Sequence, residues 1–339
     1  MNTSELSRYK NPLLVVTVVL LIWGALGALD VRNQTYTGYV TDGNNTITGV
    51  AEGSPADAAG LQVGDYIRSM GGIAVEDSRA NALRGRAVVD EVRTFEVDRD
   101  GETISLEVSY AALPLNNALV TYGAIFVGFL FLVFGVWAFL TVPTKRTMLL
   151  SVLGIAFSVG FTAGPYFTSA TVRTAVGVVI LLLIIVGFAF LTHFLLVFPK
   201  TKLMLQRHRM TWAVYSPAVV VGLLTVWFLV VQPAATSALN VFFRAVFGLL
   251  VVAYFGTSLI ALIHSYVKSP PQNRAASGLN LLLIGAVVGL GPSLLISIVG
   301  LIAPQVVVPG AQFIPLGIGL LPVTFALAAV RGERSAQAA

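Results

Sequence analysis

Long apolar runs fill the chain after Pro114 and constrain its fold more than any other feature. There are seven of them, and between Asn116 and Gly332 no Asp or Glu occurs. A helix needs about 20 apolar residues to cross a bilayer, so each run is long enough or nearly so. The sequence therefore predicts a bundle of membrane-spanning helices. The runs lie at about Asn117–Leu140, Met148–Tyr166, Ala175–Phe198, Trp212–Val231, Asn240–Tyr266, Leu279–Ile302 and Ala311–Val330.

An eighth apolar run, Pro12–Leu29, stands near the N-terminus behind Arg8 and Lys10. Small residues at Ala25–Ala28 fit a signal-peptide cleavage site, and that alternative stays open. The run is longer than most signal-peptide cores and just long enough to span a bilayer, so an uncleaved anchor is favoured. In both cases the segment that follows is predicted to be exported.

The distribution of basic residues predicts the orientation of the eight spans. With a cytoplasmic N-terminus, twelve Lys and Arg fall inside and only Arg173 and Arg244 fall outside, apart from the exported domain. Cytoplasmic loops are normally the basic ones. We therefore expect a multi-pass protein of the inner (plasma) membrane with both termini in the cytoplasm. The predicted units are 1–29 (cytoplasmic tail and anchor), 30–115 (exported domain), 116–332 (seven-span bundle) and 333–339 (cytoplasmic tail).

The exported segment is acidic, with fourteen Asp and Glu against seven Arg between Asp30 and Leu115. Its most informative stretch is Gly53–Ile67. Ser54 is a good N-cap for a short helix with Pro55 in its first turn, and Gly60 suits a left-handed helix end. Leu61 then enters a core. Alternating strands at Thr46–Val50 and Thr94–Val97, a hairpin turn at Arg99–Glu102 and a second helix at Asp77–Leu83 complete a small β-rich α+β domain.

The run Gly-Ser-Pro-Ala, Ala-Gly-Leu and Gly-Asp within Gly53–Asp65 resembles the PDZ domains of secreted bacterial proteases, over about Tyr36–Val108. The resemblance implies a site for protein or peptide C-termini on the extracytoplasmic side, bound as an added strand on Tyr39–Thr41. It places a carboxylate loop at Thr37, Gly38, Tyr39 and Val40, and groove-lining residues at Ser78, Asn81 and Ala82. Gly38 is expected at the rim, where substitution would spare the fold. The alternative is a spacer domain or a protein-contact domain.

A second resemblance lies in the bundle. His193-Phe194, followed by Phe198-Pro199, Gly291-Pro292 and the final run Leu321–Arg331, is similar to the multi-span input region of competence-type sensor histidine kinases. Several members of that family begin with an anchor and an exported PDZ-like domain. The dimerisation and nucleotide-binding segments of those kinases are absent from this sequence, so the resemblance does not carry kinase activity with it.

The sequence offers little support for catalysis. His193, His208 and His264 are not followed by Glu, so the His-Glu-x-x-His motif of intramembrane metalloproteases is missing. A serine protease would need Ser258 or Ser293 paired with a histidine, on short motifs that are common by chance. There is no cysteine, and no acid in the spans to couple proton transport. We expect no enzyme activity, metal or cofactor, and no nucleic-acid partner, because the basic residues lie in short loops.

These observations together predict a non-catalytic membrane sensor or receptor. Its binding module lies outside, and its output passes through the bundle to a separate partner such as a cytoplasmic kinase or regulator. For His193 a buried hydrogen bond between helices is the alternative to a signalling hinge, and for the basic loop the alternative is attachment to anionic lipid. A membrane scaffold or protease adaptor is the competing function, and a lipid or apolar-solute permease is a third. The candidate signalling residues are His193, Phe198, Pro199, Lys200, Lys202, Arg207 and Arg209.

Overall fold

The computed structural model describes residues 3–42, 45–77, 80–162, 164–202, 205, 208–231, 237–302 and 310–338. A small β-rich domain is inserted between the first long helix and a helical bundle. The α-helices are α1 Thr3–Ser7, α2 Lys10–Asp30, α3 Pro55–Ala58, α4 Ala80–Arg84, α5 Leu115–Thr141, α6 Lys145–Phe161, α7 Ala170–Val197, α8 His208–Val231, α9 Ala238–Lys268, α10 Pro271–Ala276, α11 Leu279–Ile302 and α12 Leu320–Ala338. Two 3₁₀ segments, Val31–Asn33 and Ala311–Gly319, precede β1 and α12.

Among the described residues, six helical segments are long and apolar enough to cross a membrane, which is consistent with a multi-pass membrane protein. They match six of the eight predicted runs. Of the other two, Met148–Tyr166 corresponds to α6, which has only 17 residues. The second, Leu279–Ile302, forms α11, whose described apolar part Leu279–Pro292 is shorter than a span. The count of eight spans therefore stays a prediction. The six segments are Glu5–Asn33, Leu115–Thr141, Ala170–Val197, Met210–Phe228, Ala238–Lys268 and Ala311–Ser335.

Small residues let α5 and α6 approach closely. The Cα atom of Gly135 lies 3.2 Å from the position that a Cβ on Gly154 would occupy, so a larger side chain at Gly154 would separate the helices. Ser151 strengthens the contact, because its hydroxyl donates to the carbonyl of Gly135 at 2.9 Å. The two helices that enclose the turn at Val142–Thr144 thus pack as a tight antiparallel pair.

The polar bonds that join α7, α8 and α9 are buried. The hydroxyls of Thr192 and Ser258 lie 2.8 Å apart, and Tyr254 donates its hydroxyl to the carbonyl of Val214 at 2.6 Å. Ser258 thus bonds to Thr192 on the neighbouring helix. The side chain of Ser293 lies outside the described residues.

Contacts at the helix ends show which ends lie together. At one end Leu6 packs with Phe139 in a buried cluster, and Arg146 forms an ion pair with Glu333. At the opposite end the β-rich domain contacts the bundle, where Arg86 bonds to Asp30. The helix ends joined by these contacts carry predicted cytoplasmic charges, and they lie together at one end of the bundle. This agrees with the alternating direction of the spans that the charge distribution predicts. That this basic end faces the cytoplasm remains a prediction.

The β-rich domain is built from three small antiparallel sheets. Its largest has the order β5-β4-β6-β7, while β2 pairs with β3 and β1 with β8. The predicted turn at Arg99–Glu102 is confirmed, with Asp100 and Gly101 at positive φ between β6 and β7. The strands are β1 Thr35–Tyr36, β2 Tyr39–Thr41, β3 Ile47–Val50, β4 Tyr66–Met70, β5 Ile73–Ala74, β6 Val92–Arg99, β7 Glu102–Ser109 and β8 Ala111–Ala112.

One hydrophobic cluster holds this domain together. Leu61, which was predicted to enter a core, is 3% exposed and packs with completely buried Phe95 and Val97. The pairing of Thr35 with Ala112 brings the two chain ends of the domain side by side, next to α2 and α5. The domain therefore has a core of its own, and the chain enters and leaves the domain on the side that faces the bundle.

Candidate peptide-binding groove

Helix α3 forms as its residue types require. Ser54 is the N-cap, and its hydroxyl accepts from the backbone N–H of Asp57 at 3.3 Å. Asp57 in turn accepts from the N–H of Gly53 at 2.9 Å, so one free donor of the helix start and the N–H of the residue before the N-cap are both satisfied. Gly60 follows the helix at φ +85°, a conformation that other residues rarely adopt.

The predicted carboxylate loop is fixed to α3 and β3 by its carbonyl groups. Thr37 accepts from the N–H of Ala56, and Gly38 accepts from the N–H of Ala51, both at 2.8 Å. Gly38 has φ +88°, and a Cβ there would collide with the side chain of Ser54. The expectation that Gly38 tolerates substitution at the rim is therefore wrong, because its lack of a side chain is what lets the loop pass over the helix N-cap.

Strand β2 offers one edge for strand addition. The Ala51-to-Gly38 bond makes Tyr39 and Val50 a non-hydrogen-bonded pair, so the N–H and C=O of Tyr39 point away from β3. Among the strands that the structure describes, β2 pairs only with β3. Val40 is 64% exposed beside that edge. The backbone of Tyr39 is thus the group that an added peptide strand would meet first.

The side chain of Tyr39 belongs to the core of the domain. Its ring packs edge-to-face on Phe95 with the centroids 5.8 Å apart, and its hydroxyl donates to Sδ of Met70 at 3.3 Å. Burial, with the neighbouring Tyr110, raises the pKa of Tyr39 to about 12, while the charge of Arg84 opposes the rise. Burial also lowers the pKa of Arg84, a half-buried cation that interacts electrostatically with Tyr39 and Tyr110.

The predicted second helix of the domain is present as α4, with different bounds. It covers Ala80–Arg84, in place of the predicted Asp77–Leu83, and Ala80 is buried. Ser78 lies outside the described residues, and so do the side chains of Asn81 and Ala82. The structure therefore places the helix but does not test these three residues as groove-lining groups.

The segment that follows α4 joins the domain to the bundle. The guanidinium of Arg86 pairs with both carboxylate oxygens of Asp30 at 2.7 and 2.6 Å, at the end of α2. Its backbone N–H donates to the hydroxyl of Tyr166 at 2.7 Å, and its guanidinium lies 4.4 Å from the centre of that ring. Arg173 covers the ring as well, at 5.1 Å. We call Asp30, Arg86 and Tyr166 the joint.

The comparison with protein families gives this module a name. Residues 46–85 match the family model described as PDZ domain. The match runs from the start of β3 to the residue after α4, so it includes α3 and the helix side of the PDZ groove. The loop Thr37–Val40 and the hairpin β6–β7 lie outside the matched range. No curated protein and no solved structure matches the chain.

The candidate signalling residues are spread over the basic end of the bundle, away from the PDZ domain. His193 Nδ1 lies 2.7 Å from the hydroxyl of Tyr215 on α8, so an interhelical hydrogen bond is present, although it is half-buried. Phe198 is buried and stacks on Phe194. Pro199, Lys200 and Lys202 line one cavity with Phe198. Arg207 and the side chain of Arg209 lie outside the described residues.

Three functional candidates were missed at the sequence level: Arg84, Arg86 and Tyr166. Their partners are distant in sequence, since 56 residues separate Arg86 from Asp30 and 80 separate it from Tyr166. The one local signal was Asp30, an acid placed directly after an apolar run, which needs a cation or water near the membrane surface. Seven Arg in the exported segment could have supplied that cation, and no sequence feature distinguishes one of them from the others.

Proposed function

We propose that the chain is a non-catalytic membrane receptor whose PDZ domain binds the C-terminal end of a peptide or protein. The peptide adds as a strand to β2, with its carboxylate held at the loop before Tyr39 and near Arg84. The observation that carries the proposal is the outward-facing N–H and C=O of Tyr39 on a β2 edge that no described strand occupies.

The joint supports transmission of binding to the bundle. Helix α4 and Arg86 are separated only by Gly85, so a peptide inserted between β2 and α4 would act directly on the contact with Asp30 and Tyr166. These two residues belong to the end of α2 and to the segment between α6 and α7. The output in this proposal is a shift of helix ends at the basic end, which a separate partner detects.

A membrane scaffold or adaptor is the alternative function, and the PDZ match supports peptide binding in both cases. The receptor is preferred because the half-buried two-oxygen ion pair of Arg86 ties the groove helix to the bundle. A scaffold needs only a flexible tether at this position.

Peptide binding is tested on the full-length protein in lipid nanodiscs. Peptides selected from a library with free C-termini are resynthesised as the acid, as the C-terminal amide, and with one N-methyl group on the strand that pairs with β2. Fluorescence polarisation measures each affinity. We expect both changes to weaken binding by about tenfold or more, because they remove the carboxylate or a backbone hydrogen bond. Equal affinity of acid and amide would eliminate the peptide-end site.

A matched pair of protein variants tests the part of Arg84. Arg84→Gln removes the cation near Tyr39, and Arg68→Gln removes an exposed cation on β4. Both change the charge of the domain equally. We expect a loss of about fivefold for Arg84→Gln alone, the size of one partly exposed charge contact.

Transmission is tested with spin labels, for which the cysteine-free chain is well suited. Lys145→Cys and Gln272→Cys place labels on two exposed sites of the basic end. The peptide should change their distance distribution in the otherwise unaltered protein and should leave it unchanged when Arg86→Gln is added, although the peptide still binds. Peptide binding with no distance change in the unaltered protein would support the scaffold.

A further inference from the structure

A cavity of about 900 Å³ lies at the basic end of the bundle, opposite to the PDZ domain. It is half open to solvent and lies between the ends of α7, α9 and α12 and the short helix α10. This volume is within the range of about 300–1,000 Å³ usual for small-molecule sites. The cavity is distinct from the groove and plays no part in the proposed function. Its cationic and imidazole side chains are Arg146, Lys200, Lys202, His264 and Lys268, and its hydroxyls are Thr201, Ser265, Ser269, Ser277 and Ser335.

The described lining of the cavity contains no Asp or Glu. Arg146 is already paired, with Glu333 at 2.7 Å, and its Nε donates to the carbonyl of Val197 at 3.2 Å. Lys202 has neutral partners, the hydroxyl of Ser265 at 2.7 Å and Nδ1 of His264 at 3.3 Å. Three lysines therefore face the cavity without an acid on its described wall.

Helix-end carbonyls, which would repel an anion, are occupied at this site. The carbonyl of Leu196 accepts from the N–H of Lys202 at 3.1 Å, and that of Phe198 accepts from the Ser265 hydroxyl at 3.3 Å. Together with the Arg146 bond to Val197, these contacts engage three carbonyls at the C-terminal end of α7. The hydroxyls of Ser277 and Ser335 also donate to backbone carbonyls, so the lysine ammonium groups are the main donors that the wall offers to an anion.

We propose that this cavity binds a phosphate group, carried by a phospholipid or by a free phosphorylated compound. A phosphate offers several acceptor oxygens and up to two negative charges, which suits several lysines better than one carboxylate does. Burial lowers the pKa of Lys202, and an anion beside it would offset that cost of desolvation. Two of the candidate spans, ending at Val197 and Lys268, place the cavity at the level of lipid headgroups.

The test uses full-length protein in a neutral detergent and two matched double variants. Lys200→Gln with Lys268→Gln removes two lysines that line the cavity. Lys10→Gln with Lys145→Gln removes two lysines from the same end that do not line it. The net charge of the protein changes equally, so diffuse attraction is matched. Lys200 and Lys268 are exposed, and we expect unchanged melting temperatures. If the double variant of Lys200 and Lys268 does not fold, the single variant Lys268→Gln is used in its place.

Three probes separate the sources of the phosphate: inorganic pyrophosphate, dioctanoylphosphatidic acid, and dioctanoylglycerol, which lacks the phosphate. Calorimetry measures the binding of pyrophosphate, and native mass spectrometry measures the binding of the two lipids. We expect at least one phosphate probe to bind, and the cavity pair to weaken it by about tenfold while the control pair changes it little. Binding of the lipid alone identifies a headgroup site, and binding of pyrophosphate alone a free ligand. Equal weakening by both pairs, equal binding of dioctanoylglycerol, or no phosphate binding would overturn the proposal.

Discussion

The ion pair of Asp65 and Arg99 should be the most sensitive polar contact of the PDZ domain. The Asp65 side chain is 1% exposed, and its two oxygens accept from Nε and Nη2 of Arg99, both at 2.8 Å. One of them also accepts from the backbone N–H of Gln62 at 2.9 Å, while Arg99 donates to the carbonyl of Gly60. The pair thus fastens the turn after α3 to the hairpin β6–β7.

The cost of Asp65→Ala follows from what the change leaves behind. The N–H of Gln62 and the two donors of Arg99 lose their acceptor in a site that the carboxylate had filled. Breaking a fully buried pair costs about 3–5 kcal/mol. Because Arg99 keeps 23% exposure, water can replace part of the lost contact, and we expect about 2–4 kcal/mol. That is a large part of the roughly 5–10 kcal/mol that stabilises a small domain.

Pulse proteolysis in urea measures this cost on the full chain, since trypsin cleaves the PDZ domain only when it opens. A double-mutant cycle of Asp65→Asn with Arg99→Met isolates the pair. Asp98→Asn serves as the control, because its partner Arg68 is 57% exposed and should matter far less. Additive costs in the cycle, or an equal cost for Asp98→Asn, would refute the reasoning.

The same pair predicts the acid sensitivity of the domain. Its hydrogen bonds to Arg99 hold the pKa of Asp65 below its ordinary value. A carboxyl whose pKa is lower in the folded state stabilises the protein fully above its unfolded pKa of about 4. The contribution is lost as the pH falls below that value, so the unfolding free energy of the wild-type domain should decline there more steeply than that of Asp65→Asn.

Two further predictions concern the loop and the topology. Gly38→Ala should destabilise the domain more than Gly53→Ala in the same urea assay. Both residues have positive φ, which costs about 1–2 kcal/mol, but only at Gly38 does the new Cβ meet another side chain; equal losses would contradict this. Single cysteines at Glu102 and Gln272 should react with an impermeant thiol reagent from opposite sides of sealed vesicles. Labelling of both from one side would show that the predicted alternation is wrong.

The parts of the fold that the sequence predicted are those with local causes. Ser54, Pro55 and Gly60 each meet a backbone requirement within a few residues, and the helix α3 between them formed as expected. The apolar runs likewise gave most of the long helices, as with Asn240–Tyr266 against the observed Ala238–Lys268. Hydrophobic length is a property of the segment itself, so no tertiary information is needed.

The parts that the sequence did not predict depend on contacts between distant segments. The collision of a Cβ at Gly38 with Ser54 arises from two loops that cross, and nothing in the composition of either loop indicates the crossing. The cavity at the basic end is similar, because its three lysines come from two different segments of the bundle. Loop basicity alone predicted the orientation and left lipid attachment as an alternative for the basic loop, but it could not predict the concave volume that distinguishes a site from a charged surface.

The joint determines how a peptide in the groove could act on the bundle. Gly85 has φ +65°, so α4 ends there and the chain enters Arg86 directly. The two-oxygen pair with Asp30 and the stacking on Tyr166 fix both the position and the plane of the guanidinium, and such a fork tolerates little displacement. A displacement of α4 therefore has two possible outcomes. In the first, rotation of the backbone at Gly85 absorbs the displacement. In the second, Arg86 moves with α4 and shifts the end of α2 relative to the segment before α7. The first case gives a scaffold and the second a receptor, and Arg86→Gln separates them because it removes the fork while leaving Gly85 and the groove unchanged.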